Sequence, residues 1–300
     1  MAELVSSIRI PDLITKLRDG EYLVPKFQRE FVWTPAEVIG LLNSVIDARP
    51  MGMMTIWEQP DNSGLDLEHV SLPDKPGEAA DTTPTYFGDN AARTNKAYAI
   101  LDGRQRSTAI EMAFGGLRQL DARRRHAGKY YLDVSATDHV DRIVFKRQSE
   151  VDSEKLDTES ICISKGLFPF QLKFDEYEDI DEQWMHYVES VGDSKFYPNG
   201  VLPDNAEIDR RKSILKSGFK GIIDSTIAVY SVPKKYDLGT ICEIFETLNT
   251  TGTKVSTVDL IHSWLYSDTH DDVPSPVNLR DWIRELGHRD GANGWAVVED

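Results

Sequence analysis

The chain has 300 residues and a net charge of −16, with 40% of its residues hydrophobic and 9% aromatic. That is enough apolar material for a folded core, while the acidic balance excludes the broad basic surface that grips any phosphate backbone. No stretch approaches the ~18 apolar residues of a membrane span, and the N-terminus lacks a basic start followed by an apolar run, so the expected setting is cytoplasmic, without membrane contact.

Residues 7–10 read as a strand, followed by a short helix after Pro11. The clearest helix runs over 35–47. Thr34 suits its N-cap, Pro35 its first position and Glu37 a capping box, and Val38, Leu41, Leu42, Val45 and Ile46 form one apolar stripe. A turn at 49–52 leads into a buried strand at 53–57. Residues 59–96 are rich in Pro, Gly, Asp, Asn and Thr without a period, which predicts a long mobile insertion. A strand at 97–101 then enters a polar turn and a helix carrying Ile110, Ala113, Phe114 and Leu117. Further strands are expected at 130–134 and 142–145. An acidic, less regular stretch over 150–205 holds one helix near 182–189. Residues 206–224 read as a helix weakened by Gly218 and Gly221, and 226–232 as a strand stopped by Pro233. A helix over 237–248 is joined through Asn249, Thr250, Thr251, Gly252, Thr253 and Lys254 to another that Ser256 and Asp259 cap as a box. An amphipathic segment at 277–286 precedes an ending that reads as the interruption of a longer protein.

Cys162 and Cys242 are too far apart in sequence for a C-x-x-C pair and read as buried thiols. The seven histidines are scattered, and no P-loop, dinucleotide fingerprint, H-E-x-x-H or G-x-S-x-G is present. Standard NTPase, dehydrogenase, zinc-protease and hydrolase chemistry therefore has no support.

Three polar segments interrupt apolar patterns at element ends. In the first, Gln28, Arg29, Phe31 and Trp33 lie between a strand and the capped helix. Their aromatics suit the core, while an arginine between buried anchors presents a fixed fork of donors. The second is the turn Asp102, Gly103, Arg104, Gln105, Arg106, Ser107 and Thr108. A helix start with glycine and two arginines suits an anion such as a phosphate. The helix end supplies only ~0.3–1 kcal/mol, against about 8 kcal/mol for micromolar affinity, so both arginines and other loops must converge. Asp102 could orient Arg106, cap the helix or hold a divalent metal. The third segment, Asn249 to Lys254, suits a helix C-terminus and equally offers Gly252, Lys254 and hydroxyls to phosphate or sugar. Basic residues gather at Arg118, Arg123, Arg124, Arg125, His126 and Lys129, and again at Arg210, Arg211, Lys212, Lys216 and Lys220.

Taken together, VPKFQREFVW (24–33), PMGMMTIWE (50–58), ILDGRQRSTAI (100–110) and FETLNTTGTKVSTVDL (245–260) resemble, in order, the motif set of the GmrSD N-terminal domain family. The resemblance implies an α+β fold with a ParB/sulfiredoxin-like core over 1–145 and a mainly helical part over 146–300. It also implies a role in restriction of modified DNA or phage defence, with NTP binding, and hydrolysis aided by Mg2+, switching a nuclease. By that likeness Asp102, Gln105 and Arg106 are the expected catalytic residues. Gln28, Arg29, Gly103, Arg104, Ser107, Thr108, Asn249, Gly252 and Lys254 would bind the nucleotide. Arg104 departs from the signature, which has glutamine there. The expected partners are modified or phage DNA, an HNH-type nuclease domain or partner subunit, and a homo-oligomer. Phe31 and Trp33 are candidates to read the DNA modification, and Arg123, Arg124 and Arg125 to hold its backbone. A non-catalytic DNA-binding or adaptor module is the alternative, and sulfiredoxin-like redox chemistry a distant third, because neither cysteine lies near residue 102.

Overall fold

Successive side chains of a β-strand point to opposite faces of its sheet. The computed structural model describes residues 5–25, 28, 30–59, 67–72, 97–139, 142–173, 176–197 and 201–249. Among them the strands are β1 (Val5–Arg9), β2 (Tyr22–Pro25), β3 (Met53–Glu58), β4 (Leu67–Glu68), β5 (Tyr98–Asp102), β6 (Gly128–Asp133), β7 (Ile143–Arg147), β8 (Leu167–Pro169) and β9 (Thr226–Val232). The helices are α1 (Ile10–Arg18), α2 (Pro35–Ile46), α3 (Arg104–Ile110), α4 (Gln148–Glu154), α5 (Glu159–Lys165), α6 (Ile180–Ser190), α7 (Asn205–Asp224) and α8 (Leu238–Asn249).

Six strands form a mixed sheet in the order β1-β9-β3-β5-β2-β4, and β7-β6-β8 form a second. In the large sheet β3 is antiparallel to β5 and parallel to β9, while β5 is parallel to β2. The small sheet is antiparallel throughout. The architecture is the α+β class expected.

Both faces of the large sheet are covered. Met54, Ile56 and Ile100 join the main core with Leu13 of α1, Leu42 of α2, Ile110 of α3 and Leu215 of α7. Alternate residues Trp57, Ala99 and Leu101 pack instead with Ile241 and Phe245 of α8. Strands buried on two faces need near-continuous apolar runs, which AYAIL (97–101) and TIAVYSV (226–232) supply.

The start of α2 is fixed by its own sequence. Glu37 N–H donates to Thr34 Oγ1 (3.3 Å) and Thr34 N–H to Glu37 Oε2 (2.7 Å), the expected capping box. Against this helix packs α7, and the two glycines that weaken α7 by propensity sit at the crossing. A Cβ at Gly221 would lie 2.1 Å from the Ile46 carbonyl oxygen, and one at Gly218 would touch Ile46 and Leu132 side chains. Close helix approach offsets the propensity cost.

Two regions differ from the sequence reading. The acidic stretch is more regular than expected, holding α4, α5 and β8 besides α6, because Val151, Leu156, Cys162 and Leu167 bury against Tyr131. Short helices draw their stability from such packing rather than from local propensity. Within the expected insertion, residues 60–66 and 73–96 lie outside the described residues, but 67–72 are part of the fold. There β4 pairs with β2, and Val70 and Leu72 are buried. A two-residue strand is too short to show a period. The helix expected after Ser256 and the segment 277–286 lie outside the described residues.

Candidate functional site

Sheet topology gathers two of the three polar segments at one end. Because β2 and β5 are parallel, the segment after β2 and the turn after β5 leave together, and β3, antiparallel to β5, brings residues 49–52 there too.

The chain passes from β5 into α3 through Gly103, whose φ of +110° is strained for any L side chain and whose absent Cβ would lie 2.9 Å from Met54 Cγ. One turn on, Arg106 Nη2 donates to Asp102 Oδ2 (3.0 Å) and to the Met53 carbonyl. Gly52 makes room for this guanidinium, since a Cβ there would lie 3.1 Å from Arg106 Nη1. Arg106 Nε is buried with no acceptor among the described residues. The pair is reachable from solvent, with Asp102 47% and Arg106 23% exposed.

Gln28, Arg104 and Gln105 act differently, as ties between chain segments. Gln28 Nε2 donates to the carbonyls of Ile100 (2.5 Å) and Leu101 (3.2 Å). Arg104 is 8% exposed. Its Nη1 donates to the Gln28 carbonyl (2.8 Å) and its Nη2 to Glu68 Oε1 (3.1 Å). Gln105 donates to the Glu30 carbonyl (3.1 Å) and accepts from Val32 N–H (2.9 Å). Ser107 and Thr108 are buried, donating to Met54 Sδ (3.6 Å) and the Arg104 carbonyl (2.8 Å). Of the charged side chains in the turn, Asp102 and Arg106 are the two partly open to solvent. Arg29, Gly252 and Lys254 lie outside the described residues, as does the side chain of Asn249 at the end of α8.

Phe31 and Trp33 are half-buried against the core, with ring centroids 6.3 Å apart, and Phe31 meets His126 edge-on at 5.2 Å. Arg125 donates to the Val32 carbonyl at 3.3 Å. Arg123 and Arg124 share Asp121, at 3.0 and 3.8 Å. His126 does not belong to the basic surface. Desolvation, with the Arg125 charge second, pushes its pKa down to about 4, so it is neutral near pH 7. Lys129 pairs with Asp157, Arg210 and Arg211 share Glu207, and Lys220 pairs with Asp224. Part of the positive charge counted in the two clusters is thus offset locally, by Asp121, Asp157, Glu207 and Asp224.

Two participants carried no sequence signal: the Met53 carbonyl, which accepts from Arg106, and Glu68, which holds Arg104. Among the described residues no group of three or more His, Cys, Asp or Glu could hold a metal ion. No helix among them is long and apolar enough to cross a membrane.

The family described as GmrSD restriction endonuclease, N-terminal domain, matches residues 10–266, a span containing all the motifs above. An uncharacterized protein of Methanocaldococcus jannaschii is 23% identical over 271 residues, covering 85% of this chain and 41% of that protein. The chain therefore spans less than half the length of that relative.

Proposed function

We propose that this chain, which belongs to the GmrSD restriction endonuclease N-terminal domain family and is therefore a component of a restriction or defence system, is that system's nucleotide-responsive sensor. The observation that carries the reading is the Asp102–Arg106 pair, a guanidinium held by a carboxylate and a backbone carbonyl beside two positive-φ glycines. A positioned guanidinium matches phosphate oxygens. Magnesium commonly uses one or two carboxylates together with substrate phosphates, so Asp102 suffices as the protein's share. Hydrolysis, a ParB-like kinship of the sheet, modified or phage DNA as the trigger, an HNH-type nuclease as the effector and a homo-oligomeric state belong to the same proposal.

Calorimetric titration of ATP and GTP with magnesium tests it. Arg106→Ala is expected to weaken binding about 10- to 150-fold, as loss of a charged hydrogen bond worth about 1.5–3 kcal/mol implies. Arg106→Lys should recover only part, because it restores the charge and not the fork. Unchanged affinity in a folded Arg106→Ala variant would sink the site, and a phosphate-release assay decides turnover. The second reading is a non-catalytic DNA-binding or adaptor module, favoured by the commitment of Gln28, Arg104 and Gln105 to protein partners. It prevails if the wild type binds no nucleotide with magnesium.

A further inference from the structure

Immediately after α3 the helix continues as a π-helical turn, Glu111–Gly115. Glu111 is fully buried, and neither carboxyl oxygen has a hydrogen-bond partner among the described residues. Its carboxyl fills the notch left by Gly115, where a Cβ would lie 1.7 Å from Glu111 Oε1. π turns are frequent at functional sites. An isolated carboxylate in an apolar interior is so costly that the group takes up a proton instead.

We propose that Glu111 is a proton-operated latch beneath the helix that carries Arg104, Gln105 and Arg106. Protonated, it stays in the Gly115 notch and holds the π turn closed. Ionised, it is driven from the apolar interior, and the turn with the helix before it loosens.

The surrounding charges leave Glu111 without a strong partner. From α1, which packs on the π turn, the Arg18 charge favours ionisation but makes no hydrogen bond to the carboxyl. Elsewhere on α1, Asp12 pairs with Arg9 and Lys16 with Glu21. On β6, also packed there, Lys129 pairs with Asp157, and the buried Tyr130 hydroxyl has no hydrogen-bond partner among the described residues. The α3 arginines are held by Glu68 and Asp102. Burial pushes the Glu111 carboxyl up to about 8, with Arg18 opposing. Since an unperturbed glutamate titrates at 4.5, the protonated group's contribution to stability is complete below that pH. It is lost as pH rises to about 8.

Urea unfolding of the whole chain from pH 5 to 9 tests the latch. Relative to Glu111→Gln, which mimics the neutral acid, the wild-type unfolding constant is expected to rise about tenfold per pH unit between 5 and 8. Carbon-13 spectra of the wild type should show one glutamate carboxyl titrating near the top of that range, a readout independent of whether the variant folds. Hydrogen exchange at residues 104–116, corrected for intrinsic rates, should lose protection above the transition in the wild type and keep it in Glu111→Gln. Parallel stability profiles, glutamates that all titrate in their ordinary range, or pH-independent protection would each overturn the latch. None of these measurements involves a nucleotide, so the latch and the sensor reading fail separately.

Discussion

Arg104 reaches two partners at once, the Gln28 carbonyl and the Glu68 carboxylate. Buried ion pairs add little net stability when both partners are removed, but removing one costs about 3–5 kcal/mol because it strands the other. Arg104→Ala is expected to fall in that range in urea denaturation, with Arg104→Gln between it and the wild type. A loss below about 1 kcal/mol, the level of an exposed pair, would return Arg104 to a ligand-facing role. Arg106 contrasts with it, since its ion pair with Asp102 is half open to solvent and its removal should register in binding more than in folding. At this scale the sequence revealed the turn, because a strand, a glycine and a helix start with arginines are visible as residue types. It could not reveal Glu68, which acts from 36 residues earlier in a patternless segment, nor a backbone carbonyl such as that of Met53. Glu111 fell outside the stripe of Ile110, Ala113, Phe114 and Leu117, and the π turn changes the helical phase that places it inside.

Elements whose signals are local were legible, and those defined by what they touch were not. The capping box gave the start of α2, and the apolar run 226–232 coincides with β9. By contrast α4, α5 and β8 exist because a small sheet is there to receive Val151, Cys162 and Leu167. The α2–α7 crossing shows the same limit, since Gly218 and Gly221 read as weaknesses in a helix and are instead its contact face. Alanine at the two positions separates these views. At Gly221 the new Cβ meets backbone, the Ile46 carbonyl oxygen at 2.1 Å, so the helices must part. Overpacking of this kind costs about 1–3 kcal/mol, against at most about 1 kcal/mol gained in helix propensity. At Gly218 the nearest atoms are side-chain ends, Leu132 Cδ2 at 3.3 Å and Ile46 Cγ2 at 3.4 Å, which can shift. Thermal unfolding should therefore show Gly221→Ala clearly destabilised and Gly218→Ala close to the wild type. Equal midpoints would mean that the crossing does not depend on the glycine notch.

On the scale of the whole molecule, the net charge of −16 opposes general attraction to a phosphate backbone, and among the described residues Arg123, Arg210 and Lys220 each have a carboxylate partner. Under the proposed role, recognition of DNA would depend on particular contacts rather than on general attraction. Wholeness of the fold turns on the segment between β3 and β5. Composition alone suggests that residues 62–94 can be excised, because closing or shortening a long loop changes its entropy little. The structure divides that segment, since 67–72 supply β4, the buried Val70 and Leu72, and the Glu68 partner of Arg104. Burying a Val or Leu side chain contributes roughly 1.5–3 kcal/mol each, and a stranded Arg104 adds the larger penalty of an unpaired buried charge. Those losses are comparable to the whole ~5–15 kcal/mol of an ordinary domain. Removing 62–94 and bridging the gap with a short flexible linker is therefore expected to unfold the chain or lower its melting temperature severely. Removing only 74–94 with the same linker should leave circular dichroism and the cooperative transition nearly unchanged. If both deletions melt alike, β4 and its two apolar neighbours are not part of the cooperative core.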